Sequence, residues 1–421
     1  MAKTASAKRK NVLILVETSR GYGRDLIGGI TRFATEKENW NMFLCDQISA
    51  SRNARWLNAW QGDGVIARAF DTNLKNFLRV FSGAKINLAA DGKEFPIYVR
   101  LNNEQCGRLA ARHFWDRGYR NFAYFSMGYT YWSRYRYDCF VAGLKQFGAE
   151  CFLCPQAMRK NSETLPTLWW HGLDDSVFAW IESLPKPVGI FCSYDNHAFY
   201  LTNLCSSLGV AVPDEVAILG VDNDESLCRT TNPPMSSIDP NARTIGYQAA
   251  SLLERMMNRE PLPPLPVMVE PLYIATRQST DNIAVNDPKL VQAMRYIRNE
   301  TTRNIRVNDV AREIGVSKGT LNNLFRRHLH CSPIEEILRV RMERARELLR
   351  DTLIPITEIA EMIGYRTSEY FSRAFTREVG LTPKKYRFSC QKNVGRTRNL
   401  SPEDDEVPEI PPYEKTRDHV G

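Results

Sequence analysis

Histidine is scarce in this chain, with six in 421 residues. They form neither a metal cluster nor a nucleophile–base pair: His328 and His330 lie close together near the C-terminus and the other four are dispersed. No apolar run approaches the roughly 18–20 residues that span a bilayer. Residues 1–10 are basic and rich in Ala and Ser, but no secretory apolar segment follows them. The ten cysteines are scattered, and the one close pair, Cys151 and Cys154, lacks the second CxxC or His pair of a zinc site. Gly21-Tyr22-Gly23 has neither the full dinucleotide pattern nor a Walker pattern. These absences argue against a membrane protein, a disulfide scaffold, a metal or nucleotide enzyme, or any cofactor. The expectation is a cytoplasmic, non-catalytic protein with reduced thiols.

What is present is ordinary in amount and uneven in distribution. Hydrophobic residues make up 43% and charged residues 25%, as in globular proteins, and the length fits two or three domains. The net charge is +8, and the segment 287–394 alone carries 21 Lys and Arg against 13 Asp and Glu. The rest of the chain is therefore neutral. A basic excess confined to one module suits phosphate attraction.

From Asn11 to Gln278 apolar strands alternate with helical patterns. Val12 to Val16 is a continuous apolar run, as in a strand buried on both faces. Residues 42–45, 64–67, 122–125, 189–192 and 216–221 read as further strands. Helices are expected over 24–37, 105–117, 139–147 and 196–208, with Thr18 to Arg24 as a loop and Val267 to Tyr273 as a last strand. This rhythm predicts parallel sheets covered by helices in two α/β lobes. Pro261 to Pro266 is a stiff connector. The expected organisation is a basic extension (1–10), an α/β domain (11–280), a linker (281–287), a helical domain (288–393) opened by Pro288, and an acidic, Pro-rich disordered tail (394–421).

The helical domain contains one pattern twice: an apolar helix with Ala, a Gly-centred turn, a Ser or Thr, and a second helix ending in Phe. The first copy runs Val310 to Phe325 around Gly315, the second Ile359 to Phe375 around Gly364, and a long helix from Glu335 to Leu349 joins them. This is the form of a helix-turn-helix. Behind the cap Ser317, the residues Leu321, Leu324 and Phe325 face inward, leaving Gly319, Asn322, Asn323 and Arg326 outward. Behind Thr367, the residues Phe371, Ala374 and Phe375 face inward, leaving Ser368, Glu369, Tyr370, Arg373 and Arg377. Asn pairs with adenine, Arg with guanine or phosphate, and Glu with a cytosine amine, so operator DNA is the expected partner.

Residues 359–365, 370–375 and 380–387 resemble the signature of the AraC/XylS-type transcription regulators. The resemblance implies two helix-turn-helices reading successive major-groove segments, with base contacts at Gly319, Asn322, Asn323, Glu369, Tyr370 and Arg373. Gly319 has no side chain to offer at its position. Upstream, Val212 to Asn223, Pro233 to Ile238, Gly118 to Arg120 and Arg136 to Phe140 resemble the LacI/GalR-type and periplasmic sugar-binding domains. That resemblance implies two lobes with three crossovers and a ligand clamped between them.

Polyols are held by carboxylates and by Arg or Asn forks, with aromatic rings against their C–H faces. Asp222 ends a strand, where loops line the cleft. Arg136 and Asp195 fall at matched loop positions, and Tyr22, Asn103 and Asp239 complete the candidate sugar ligands. A LacI-like sensor ahead of an AraC-type reader is the layout of the xylose operon regulators, and Gly62 to Ala67, Ile245 to Ala250, Arg277 to Asp281 and Gln292 to Asn299 agree with that family. This implies a dimeric activator that responds to D-xylose, binds promoter DNA and works with RNA polymerase. The alternatives are the same layout sensing another pentose or hexose, a sugar-processing enzyme, and an architectural DNA binder.

Overall fold

The computed structural model describes residues 9–37, 39–46, 54–89, 96, 98–128, 130–158, 175–281, 287–300, 305–329 and 331–391. The expected basic extension up to residue 8, linker residues 282–286 and the acidic tail lie outside the described residues. The chain divides into two compact units, Met1–Tyr296 with Val307–Glu336, and Ile297–Arg306 with Ile337–Gly421.

The first unit begins with β1 (Lys10–Leu15), α1 (Gly21–Lys37), β2 (Trp40–Cys45), α2 (Ala54–Asn58), β3 (Gly64–Ala67), α3 (Thr72–Val80), β4 (Ala84–Asn87) and β5 (Val99–Leu101). The strands β2-β1-β3-β4 form a parallel sheet. Alternation along β1 explains its unbroken apolar sequence. Val12 and Ile14 join a core with Leu26, Ile30 and Leu253, whereas Leu13 and Leu15 join one with Leu57, Leu74 and Phe77. Both faces of the strand are dry.

The chain continues through α4 (Asn103–Asp116), β6 (Asn121–Phe125), α5 (Tyr131–Lys145), β7 (Cys151–Leu153), α6 (Asp175–Ser183), β8 (Val188–Cys192), α7 (Asp195–Ser207), β9 (Val216–Val221), the single turn α8 (Glu225–Cys228) and β10 (Ser236–Ile238). It then makes α9 (Ala242–Met257), β11 (Val267–Val269) and β12 (Ile274–Ala275). The second sheet has the order β12-β10-β9-β8-β6-β7, with only β12 antiparallel. β11 pairs with β5. The segment expected as one strand, 267–273, is thus two short strands in different sheets. Pro271 falls between them, where the chain passes from one sheet to the other and a ladder donor would be missing. The other passages are β5 to α4 and β10 to α9. Two α/β lobes with three crossovers are the type I periplasmic-binding-protein architecture expected from the sequence. The nine cysteines from Cys45 to Cys331 are free thiols.

Two helices start earlier than their periodicity indicates. α1 begins at Gly21, so Tyr22 is on its first turn rather than in a loop. α5 begins at Tyr131, capped by Thr130 Oγ1, which accepts from Ser133 N at 3.2 Å. α1 and α9 cross closely at glycines. A Cβ on Gly29 would lie 1.9 Å from Arg243 O, and one on Gly246 would lie 2.1 Å from Leu26 O.

The first unit also holds α11 (Val307–Glu313) and α12 (Lys318–Leu329), joined through Gly315 at φ 65°. Ser317 caps α12 by accepting from Thr320 N at 3.0 Å. α10 (Pro288–Asn299) starts at the expected proline, with Asp287 Oδ1 accepting from Leu290 N at 3.1 Å. α13 (Pro333–Asp351) opens on a capping box, in which Glu335 accepts from Ser332 N at 2.7 Å and Ser332 Oγ accepts from Glu335 N at 3.3 Å. Its buried stripe is Ile337, Val340, Met342, Ala345, Leu348 and Leu349, with Leu338 only half-buried.

In the second unit α14 (Ile356–Met362), α15 (Ser368–Val379) and α16 (Pro383–Gln391) follow. Gly364 turns the chain at φ 81°, and Gly380 ends α15 at φ 78°. Phe371, Phe375 and Tyr386 form the core of this unit, with ring centroids 5.5 and 5.3 Å apart in sequence. Among the described residues no helix is long and apolar enough to cross a membrane.

Gly246→Ala should force α1 and α9 apart and destabilise the protein by about 1–3 kcal/mol. Urea denaturation measures this, and an unchanged midpoint would show that the helices can separate freely.

Candidate functional site

The strands of the two sheets deliver their following loops to one cleft of about 940 Å3, its open mouth included. The lining includes Tyr22, Arg68, Phe70, Asn87, Arg100, Asn103, Tyr131, Trp132, Tyr135, Arg136, Tyr194 and Asp222. Four of the six sequence candidates are therefore together: Asp222, Arg136, Tyr22 and Asn103. Asp222 follows β9 at φ 118° and Asn223 has φ 49°, conformations that cost about 1–3 kcal/mol each for residues with a Cβ. The turn is over-determined. Asp222 N donates to Ile238 O at 3.0 Å, Asn223 N to Ser237 Oγ at 3.0 Å, and Arg277 Nη2 to Asn223 Oδ1 at 2.9 Å.

Arg136, on α5, is buried and braced. Its Nε donates to Asn103 Oδ1 at 2.9 Å, its Nη1 donates to Ser193 O, and its guanidinium lies 5.4 Å from the Trp132 ring. Burial pushes the Asp222 carboxyl up to about 6, even though Arg136, Arg68 and Arg20 pull it down. Burial and the Asp222 carboxylate both push the Tyr22 phenol upward, so it stays a neutral donor and acceptor.

Two candidates are not in the cleft. Asp195 is 1% exposed and lies behind it: Ser237 Oγ donates to Oδ1 at 2.6 Å, and Asp224 N and Cys228 Sγ donate to Oδ2 at 2.8 and 3.4 Å. Burial and the nearby Asp222 hold its pKa well above the usual carboxylate range. Asp239 accepts from Asn241 N at 2.9 Å and Asn223 Nδ2 at 3.3 Å, at a crossover. Both carboxylates shape backbone, which the position after a strand does not distinguish from ligand contact.

Other lining residues had no motif to reveal them. Arg68 and Phe70 follow β3, and Tyr194 follows β8, so the rule that strand ends line the cleft would have found them. Arg68 pairs with the buried Glu17 and lies 4.7 Å from the Tyr22 ring and 4.9 Å from that of Phe70. Burial lowers its pKa to about 10. Asp224, also unpredicted, joins the lobes, accepting from Gly21 N at 2.7 Å. Among the described residues no group of three or more His, Cys, Asp or Glu is placed to hold a metal.

On α12, Gly319, Asn323 and Arg326 are exposed and Asn322 is half-buried. On α15, Glu369, Arg373 and Arg377 are exposed, Ser368 is half-buried, and Tyr370 is 63% exposed beneath the Arg373 guanidinium, 4.8 Å from its ring. Leu321, Phe325, Phe371 and Phe375 face inward as expected, whereas Leu324 and Ala374 are only half-buried.

Family models match this chain in three stretches: the XylR N-terminal domain over residues 11–96, a periplasmic binding protein-like domain over 111–280 and a helix-turn-helix domain over 310–388. The xylose operon regulatory protein of Escherichia coli (strain K12) is 29% identical over 395 residues, 90% of this chain and 97% of that one. Its counterpart in Haemophilus influenzae is 27% identical, covering 90% of this chain and 98% of that one. The chain is a homologue of the xylose operon regulatory proteins. A solved structure of the xylose-binding transcription activator XylR superposes with a TM-score of 0.56 at 27% identity, over 91% of this chain and 99% of that one. A periplasmic binding protein/LacI regulator from Alkaliphilus metalliredigens, complexed with D-xylulofuranose, shares the sensor fold with a TM-score of 0.51 at 19% identity, over 64% of this chain and 98% of that one. The chain is accordingly a two-part transcription regulator.

Asp222 titrates near 6 when folded, against an ordinary value of 3.8. Between those values the folded chain holds a proton that the unfolded chain has lost. The carboxyl's contribution to stability is therefore least favourable at neutral pH and improves as pH falls through about 6. The stability of wild type relative to Asp222→Asn should rise when urea denaturation is repeated from pH 7.5 down to pH 5. A difference independent of pH would show that Asp222 titrates normally.

Proposed function

We propose that this regulator is a D-xylose-responsive activator: the cleft clamps a pentose, and the two helix-turn-helices read promoter DNA. The observation that carries the sugar site is the Asp222 carboxylate, raised on a strained turn into a cleft shared with Arg136 and walled by Tyr22, Trp132 and Tyr194. A carboxylate facing a braced guanidinium takes hydroxyl donors and lone pairs at once, and aromatic rings take the C–H face. Tyr22 and Asn103 are further ligands, with Asn103 holding Arg136 in position. The relatives' names speak for D-xylose among pentoses and hexoses. The same architecture sensing another small sugar is the second reading, and the whole-chain likeness to regulators speaks against an enzyme.

Outward residues of α12 and α15 supply the DNA contacts: Gly319 through its backbone, Asn322, Asn323 and Arg326 from the first helix, and Ser368, Glu369, Tyr370, Arg373 and Arg377 from the second. Residues 281–287 link the sensor to the reader along the chain. The protein works in the cytoplasm as a homodimer and contacts RNA polymerase.

Asp222→Ala and Arg136→Ala should each weaken D-xylose binding by about 1.5–3 kcal/mol in calorimetry of the full-length protein, since each removes charge-assisted hydrogen bonds. Asp222→Ala should also abolish the sugar-induced gain in operator affinity, because a ligand that no longer binds contributes no coupling. Unchanged sugar affinity in both variants would refute this site.

Arg373→Ala and Asn322→Ala should each cost about 1–3 kcal/mol of operator binding and relax preference at separate base pairs. Equal losses on operator and random DNA, read by fluorescence anisotropy, would make these residues phosphate contacts instead.

A further inference from the structure

The sugar site proposed above has an imbalance of charge and of hydrogen-bonding groups. Among the described residues its lining holds three guanidiniums, those of Arg68, Arg100 and Arg136, and one carboxylate, that of Asp222. Arg68 is compensated from behind by Glu17. Arg136 has the Asp222 carboxylate in its field. Arg100, on β5, has no carboxylate in ion-pair range among the described residues. Its Nε donates to the Met268 thioether at 3.2 Å, and its guanidinium lies 5.1 Å from the Tyr135 ring. Glu104 and Glu270 are otherwise engaged: Glu104 lies 3.8 Å from Arg108 Nη2 and accepts from Tyr135 Oη at 3.3 Å, and Glu270 accepts from Asn102 Nδ2 at 2.7 Å. A half-buried cation is left facing a thioether and a ring.

The acceptors are few as well. Asn103 Oδ1 already accepts from Arg136, and Asn87 Oδ1 accepts from Ala69 N at 3.0 Å and Ala89 N at 3.1 Å. The indole Nε1 of Trp132 is buried with no acceptor. Among the described residues the cleft thus offers an uncompensated positive charge, that of Arg100, and an unanswered donor, Trp132 Nε1. A neutral polyol brings hydroxyls that both donate and accept but leaves that charge unanswered, whereas a carboxylate brings only acceptors and a negative charge that matches an arginine fork.

We infer that the preferred effector is a sugar acid, a pentonate or uronate, whose carboxylate is held by Arg100 while its hydroxyls meet Asp222 and Arg136. This rests on the reading of the cleft as a sugar site. Neutral D-xylose then binds as the weaker member of a series.

Calorimetry of the full-length protein with D-xylose, D-xylonate, D-glucose, D-glucuronate and D-xylose 5-phosphate tests it. At least one acid should bind at least about tenfold more tightly than its neutral parent, with an advantage that shrinks as salt is raised. Arg100→Gln should lower the affinity for that acid at least about tenfold more than for the neutral parent, and Arg100→Lys should retain part of the preference. Thermal unfolding of each variant separates loss of fold from loss of contact. Equal affinity for acid and neutral sugar, equal losses for both in Arg100→Gln, or tighter binding of the sugar phosphate would each overturn the assignment. Asp222→Asn separates the two levels. If it weakens D-xylose binding while the acids show no advantage, the sugar site stands and this inference falls. If it changes no sugar's affinity, the site itself is misplaced and both fall.

Discussion

The buried carboxylate of Asp195 is the constraint on which the cleft depends. It gathers Ser237 Oγ, Asp224 N and Cys228 Sγ around itself, and so fixes the turn that follows β9. Gly220 is required beneath it, since a Cβ there would sit 2.2 Å from Asp195 Oδ1. With that turn fixed, Asp222 and Asn223 are held at positive φ, and Asp224 is turned toward Gly21 of the other lobe. One dry, hydrogen-bonded carboxylate thereby positions two others, one in the cleft and one across the lobe boundary. The cost is electrostatic: burial makes both Asp195 and Asp222 harder to ionise, and Asp222 adds to the difficulty at Asp195 as Asp224 does at Asp222.

That cost explains the cations around the cleft. Arg136, Arg68 and Arg20 all act to keep Asp222 ionised, and each is itself held. Arg136 is braced by Asn103 and the Ser193 carbonyl, Arg68 by Glu17, and Arg20 lies 5.3 Å from the Tyr194 ring. The rings of Tyr22, Phe70, Trp132 and Tyr194 serve the guanidiniums as cation–π partners, so the same aromatic wall that faces the cleft also orients its charges. Preorganisation of this kind lowers the ordering cost of binding.

The periodic parts of this arrangement were legible in the sequence. Val12 to Val16 reads as a doubly buried strand because each of its side chains is apolar, and Gly315 and Gly364 mark the two turns because positive φ favours glycine there. Asp222 and Arg136 were legible as cleft residues through position and resemblance. Asp195 and Asp239 lie outside the lining of the cleft, a difference not visible in the sequence, because a carboxylate after a strand looks the same whether it faces a ligand or a backbone amide. Arg68 and Arg100 went unnoticed for the opposite reason. Neither belongs to a motif: Arg68 is marked only by its place after β3, and Arg100, within a short strand, is brought beside Tyr135 by the fold alone. The division of residues 267–273 between two sheets is likewise set by tertiary pairing: Val267 to Val269 read as strand in either case, but the register with β5 ends them there.

The two recognition helices share a frame and differ in what they present. In both, Phe residues lock the helix inward and a hydroxyl caps its start, so the outward surface is displayed rigidly. α15 offers Tyr370 and Arg373 as a stacked pair, which holds the guanidinium in an extended position and reduces the rotamer freedom lost on binding. α12 offers Gly319, where a Cβ would meet only Ser317 Oγ at 3.7 Å, so no packing demand excludes a larger residue. On the proposed reading, the missing side chain removes a direct base contact from the first half-site and leaves Asn322 and Asn323 to read it. The second helix then carries the greater share of direct readout, and the first contributes more through backbone positioning on phosphate.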